Sequence, residues 1–289
     1  MQTDQTRARL GLLVFFCLVV LLTGAIDVLA INNREFDSLV LFPMLVPAFS
    51  ATVARLVLRE GFSDVSFRLG GRRALRWIAL APVFAIVVCT VAYGVGWTTG
   101  LIHFVPQPAG QLAANLALST LISFVLVSGE EIGWRGYMLT RLIDAGVPRP
   151  ILASGFIWGM WHVPLVLTGL YVAGPSPLVS AVNVVIATTA FGFIVAHARL
   201  STGSVWPAVA LHLAWNRIIN NVFDSLTTAN ADTSLWVGES GVLTTVAVVV
   251  VVAISLRWLV RGDYSSRAAR EGVTAWPTSE SQDIVAPAS

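Results

Sequence analysis

Eight stretches of this chain are long and apolar enough to cross a lipid bilayer, and that repetition leaves few folds open to it. A spanning helix needs roughly 20 mostly apolar residues. Such runs occur at about 10–30, 39–58, 77–99, 113–130, 150–170, 178–198, 204–222 and 241–260. Composition agrees, because 56% hydrophobic residues against 12% charged is too apolar for one large or two ordinary soluble domains. The expected fold class is all-α, a polytopic membrane helix bundle of about eight transmembrane helices. The first run is too long and continuous for a signal peptide, whose core is about 7–15 residues, and it is expected to stay. The fourth ends in Gly129, Glu130 and Glu131, then continues as IGWRGYMLTRLI, helical in character but charged. One helix leaving the bilayer obliquely would account for both parts.

Charge tests this partition independently, because short cytoplasmic loops carry the excess of positive residues. All 18 basic residues are arginine. Sixteen of them fall in the N-terminal tail, alternate connections and their helix ends, or the C-terminal tail; only Arg34 and Arg217 fall on the opposite side. Both termini are therefore expected to be cytoplasmic. The domain division that follows is a transmembrane domain at 1–260 and a disordered, polar cytoplasmic tail at 261–289.

Other readings are excluded or set aside. Cys17 and Cys89 both sit in apolar runs, which argues against a disulfide scaffold or a thiolate metal cluster. A net charge of +2 without a basic stripe gives no case for nucleic acid. Gly70-Gly71-Arg72-Arg73 lacks the order of a phosphate-binding loop and reads as a topological anchor on anionic lipid. His103 is expected at the outer surface, and His197 with Arg199 as an interfacial anchor.

Ionisable residues inside spans are costly and usually face a protein interior or a water cavity. Glu130 and Glu131 end the fourth run, His162 lies within WGMWHVP, and His212 with Asn216 within LHLAWN. Glu131 and Arg135 are four residues apart and share a helix face, so they are expected to pair, leaving Glu130 free as a candidate base. Arg135 could also hold a substrate C-terminus. His212 and Asn216 repeat the four-residue spacing, so imidazole and amide face one water, metal ion or substrate oxygen, or simply glue two helices. Counted at 1.5 Å per residue from the cytoplasmic ends, His162 lies roughly 18 Å deep, His212 roughly 12 Å and Glu130 near the surface. All could meet in the cytoplasmic half of the bilayer. A carboxylate, two imidazoles and an amide fit hydrolysis better than ion conduction. Trp134, Trp158, Trp161, Trp206 and Trp215 surround this set and are expected to pack.

Three motifs in this order resemble the CPBP family of intramembrane proteases, which contains the CAAX prenyl endopeptidases and bacterial proteins associated with bacteriocin processing or self-immunity. Glu130-Glu131-Ile132-Gly133-Trp134-Arg135 fits its EExxxR; Trp158 to His162 occupies its FxxxH, with tryptophan in the phenylalanine position; His212 to Asn216 fits HxxxN. The resemblance covers about residues 110–220. It implies that Glu130 activates water with help from His162, that His212 and Asn216 stabilise the oxyanion, and that Glu131 and Arg135 support the first motif.

No cofactor is favoured by this resemblance. A zinc alternative would take Glu130, His162 and His212 as ligands, with a fourth position open. The expected partners are a membrane-associated protein or peptide substrate and the lipid bilayer, with no nucleic acid. The expected location is a bacterial-type cytoplasmic membrane. The substrate could be CAAX-like or another membrane-associated peptide. The competing class is a non-enzymatic bacteriocin self-immunity or transport-associated membrane protein.

Overall fold

The computed structural model describes residues 2–34, 39, 41–172 and 174–271, with backbone alone at residues 2, 3, 118, 119, 231 and 258–271. The described residues contain helices and no strand: α1 (Gln2–Asn33), α2 (Leu41–Leu58), α3 (Gly71–Thr99), α4 (Ala109–Gly133), α5 (Leu139–Asp144), α6 (Pro150–Leu167), α7 (Pro177–Thr202), α8 (Trp206–Ile218), α9 (Ala231–Trp236) and α10 (Val242–Glu271). Helices keep every backbone bond inside the segment, which is what hydrocarbon demands of a spanning element. Their outward side chains are apolar; Leu21, Leu121 and Leu178 are each about two-thirds or more exposed. Most of the tail expected at 261–289 lies outside the described residues.

Five helices, α1, α2, α3, α6 and α7, are long and apolar enough to cross a membrane among the described residues. Ala109–Ala117 and Thr120–Asp144, bent by 46° to each other, make a sixth if taken as one span. The other two expected spans take shorter forms. α8 has 13 residues and runs into a π-helical turn at Ile219–Phe223, and the apolar part of α10 is Val242–Arg257.

The fourth run does not stop at its glutamates. α4 passes through a π-helical turn at Trp134–Met138 into α5, and Glu130 is buried within the bundle, 2% exposed. The charges beyond the apolar run are consumed internally. Glu131 pairs with Arg135, and Arg141 bridges Glu60, Asp64 and Asp144 at 2.9–3.0 Å.

Two hydrogen-bonded clusters define the ends of the bundle. At the arginine-rich end, Arg55 is buried and donates to Gly61 O (2.8 Å), Gly136 O (3.0 Å) and Asp64, while Arg199 donates to Asp64 O at 2.7 Å. Burial would raise the Asp64 carboxyl, but Arg55 and Arg141 hold it below the usual range. These arginines do more than anchor topology; they staple α2, α5 and α7 together. At the opposite end, Tyr93 donates to Asp224 and accepts from Gly238 N at 3.0 Å. Val105 N donates to Leu226 O at 2.8 Å, and Asn183 donates to Ser240 O at 3.0 Å.

Two close helix crossings lie between these ends. A Cβ on Gly133 would stand 2.3 Å from Pro47 Cβ, and one on Gly129 would stand 2.8 Å from Leu45, so α4 meets α2 along bare backbone. A Cβ on Gly155 would stand 2.9 Å from Thr189 O, and one on Gly159 would stand 2.9 Å from Val185 Cα, so α6 meets α7 in the same way. Both pairs are glycines four apart, the spacing that lets membrane helices approach closely.

Candidate active site

Between these crossings, α4 contributes Glu130 and Glu131, the π turn Arg135, α6 Trp158 and His162, and α8 His212 and Asn216. A π turn adds one residue to the helical circuit and re-aims what it carries. Here Arg135 is turned fully inward, 0% exposed, and donates to Glu131 Oε1 at 2.8 Å. The expected pair therefore exists. The same oxygen also takes His212 Nδ1 at 2.8 Å, so Glu131 couples the first motif to the third. A carboxylate accepts only, so Nδ1 is the protonated nitrogen and Nε2 is left for other work.

Glu130 is not free, contrary to the expectation from helix geometry alone. The Trp158 indole Nε1 donates to its Oε2 at 3.0 Å. Trp158, expected to pack, is the hub of the cluster. Its ring carries the Arg135 guanidinium 4.0 Å from the centroid and meets the His212 ring edge-on at 5.0 Å. Its carbonyl lies 2.9 Å from His162 Nδ1. A carbonyl only accepts, so His162 also holds its proton on Nδ1 and keeps Nε2 as a lone pair when neutral.

Glu130, His162, His212 and Asn216 line one cavity of about 600 Å³. Its walls include Met44, Leu126, Leu165 and Val184. Glu131 and Arg135 are not among the lining residues, and Arg135 is too deeply enclosed to meet a substrate C-terminus. Among the described residues, no three of His, Cys, Asp and Glu are grouped to hold a metal ion. Each imidazole gives its Nδ1–H to a protein acceptor and keeps Nε2 toward the cavity.

Several participants escaped the sequence reading. Trp158 was read as the aromatic position of the second motif, but its hydrogen bond to Glu130 was not foreseen. Tyr171 stacks on His162 with ring centroids 5.7 Å apart and planes 19° apart, and its hydroxyl donates to Glu239 Oε2 at 2.6 Å. Both come from connections between helices, where no period marks a residue. Thr23 lines the cavity and accepts from Trp161 Nε1 at 3.1 Å. One turn beyond it, Asp27 is 5% exposed inside α1, a charge within a span that could have been flagged on position alone.

Residues 110–218 match the family model described as type II CAAX prenyl endopeptidase Rce1-like. The matched interval contains Glu130, Glu131, Arg135, His162, His212 and Asn216. No curated protein matches the chain.

Proposed function

We propose, from the Rce1-like domain that the chain carries at residues 110–218, that this is an intramembrane endopeptidase acting on membrane-associated peptides. The observation that carries the reading is the convergence of Glu130, His162, His212 and Asn216 on one cavity with apolar walls. A carboxylate held by one indole N–H at Oε2 keeps Oε1 for a water molecule. Glu130 takes a proton from that water as its oxygen adds to the peptide carbonyl carbon. His162, with Nε2 as an acceptor, orients the same water.

The tetrahedral oxyanion needs donors already in place. Asn216 supplies an amide N–H. His212 supplies Nε2–H when its ring carries two protons, and Glu131 is the counter-charge beside that ring. Glu130 then passes its proton to the departing nitrogen, the C–N bond breaks, and a carboxylic acid and an amine result; the acid's proton, the second of the two that the water brought, passes to His162 Nε2, leaving a carboxylate. Every proton is accounted for by groups of the chain and one water. The mechanism is read as independent of metal.

The test is cleavage of a peptide library by the purified full chain under strict chelation, with Glu130→Ala, His162→Ala and His212→Ala for comparison. Wild-type cleavage that survives chelation and is lost in each variant is expected. No cleavage by wild type under any condition overturns the protease reading. Cleavage abolished by chelation and restored by zinc overturns the metal-free mechanism.

A further inference from the structure

The cavity has a direction. Its floor is Glu130, Trp158, Phe191 and His212, and most of the other lining residues belong to helix segments or connections away from the arginine-rich end. They include Thr23 late in α1, Leu41, Pro43 and Met44 in the first turn of α2, Leu170 to Val172 after α6, Asn220 past α8, and Glu239 before α10. No lining residue comes from the arginine-rich connections at 59–70, 134–149 or 199–205. That end is instead closed by the buried Arg55, Arg135 and Arg199 and their partners. The mouth is thus built at the end where Tyr171 and Asn220 both donate to Glu239, at 2.6 and 2.8 Å.

Arginine distribution assigns the closed end to the cytoplasm. We infer that the catalytic cavity opens to the extracytoplasmic face, so that its substrates are extended, apolar peptide segments presented there or in the outer leaflet. The inference rests on the protease reading for the word substrate, and on lining residues and arginine placement for the direction. Met44, Leu126, Leu165 and Val184 offer the apolar side chains of such a segment a wall, and the polar rim at Glu239, Asn220 and Arg217 meets its solvated end. A cytoplasmic protein tail would have to cross the arginine-stapled end to reach Glu130, and no lining residue marks that route.

Thiol labelling reads the direction without requiring proteolysis. In the full chain with Cys17→Ala, single substitutions Asn220→Cys or Leu41→Cys place a thiol at the mouth, and Gln5→Cys places one at the arginine-rich end. The second mouth variant guards against a folding defect in the first, because Asn220 bonds Glu239. Intact cells treated with a membrane-impermeant maleimide are expected to label both mouth positions at least tenfold more than Gln5→Cys, with parity after permeabilisation. Mouth positions labelled only after permeabilisation overturn the inference and leave the protease reading standing. Labelling from outside combined with no cleavage of any peptide sinks the protease reading and leaves the direction standing.

Discussion

The indole N–H of Trp158 donates to Glu130 Oε2 at 3.0 Å, while the same ring lies under the guanidinium of Arg135 at 4.0 Å. One side chain thus aims the proposed base and covers the cation that neutralises the neighbouring glutamate. Trp158→Phe keeps an aromatic face for Arg135 and removes only the donor. A hydrogen bond to a charged group contributes about 1.5–3 kcal/mol, so kcat is expected to fall roughly 10- to 100-fold. KM is expected to change little and the melting temperature to fall modestly, because the buried Oε2 loses its donor. Glu130→Gln should cost far more, roughly 1000-fold or beyond. Equal losses in the two variants would show that Trp158 acts through folding and not through Glu130.

Glu131 joins two partners at one oxygen, Arg135 Nη1 and His212 Nδ1, each at 2.8 Å. Breaking a buried ion pair from one side leaves the other charge uncompensated, at a cost of about 3–5 kcal/mol. Glu131→Gln and Arg135→Met are each expected to lower thermal stability sharply. The double variant should recover much of the stability, because neither member of the pair is left without the other, yet stay inactive because His212 has lost its counter-charge. A double variant with normal activity would reduce Glu131 to a structural role. Thermal unfolding in detergent and peptide cleavage on the same preparations separate these outcomes.

The motif spacing made the site legible because helical geometry is local. Glu131 and Arg135, or His212 and Asn216, must share a face wherever their helices go. What the spacing could not supply was the partner across helices. That His212 pairs with Glu131, and that Trp158 takes Glu130, depends on how α4, α6 and α8 cross. The crossings were half visible, since Gly129 with Gly133 and Gly155 with Gly159 stand in the sequence, but nothing local says that the first pair meets α2 and the second α7. Hydropathy found the apolar runs and stopped at Glu130, because a window of residues cannot see that Arg135 and Arg141 are neutralised inside the fold. Tyr171 and Glu239, set in connections, had no pattern to reveal them.

Asp224, two residues past the expected span at 204–222, is pushed up to about 6, chiefly by burial, against a hydrogen bond from Tyr93 that lowers it. A carboxyl raised above its unfolded value of 3.8 binds protons more readily in the folded chain. Stability from this group is therefore gained as pH falls through about 6 toward 4, and lost as pH rises through the same window. Asp224→Asn removes the charge and keeps an acceptor for Tyr93. At pH 8 the variant is expected to melt higher than wild type, the difference being of the order of 2–3 kcal/mol at most. At pH 4.5 the two should converge. A wild type that melts higher than the variant at pH 8 would mean that the charged form is the one the fold favours.

Gly159 stands one residue after Trp158 and three before His162, at a crossing where a Cβ would lie 2.9 Å from Val185 Cα and 3.2 Å from Val185 O. Backbone cannot yield as a side-chain tip can, so any added bulk moves α6 away from α7. Both Trp158 and His162 ride on α6, so the displacement carries the Glu130 donor and the water-orienting imidazole together. Gly159→Ala is expected to lower the melting temperature modestly and kcat about tenfold, since the helices must part by only a fraction of an ångström. Gly159→Val should lower both further, while Gly94→Ala, where a Cβ meets nothing within 4 Å on α3, serves as the control and should change neither. Activity and melting temperature measured across the three variants give the check. Wild-type kcat in Gly159→Val would show that the α6–α7 crossing does not set the geometry of the site.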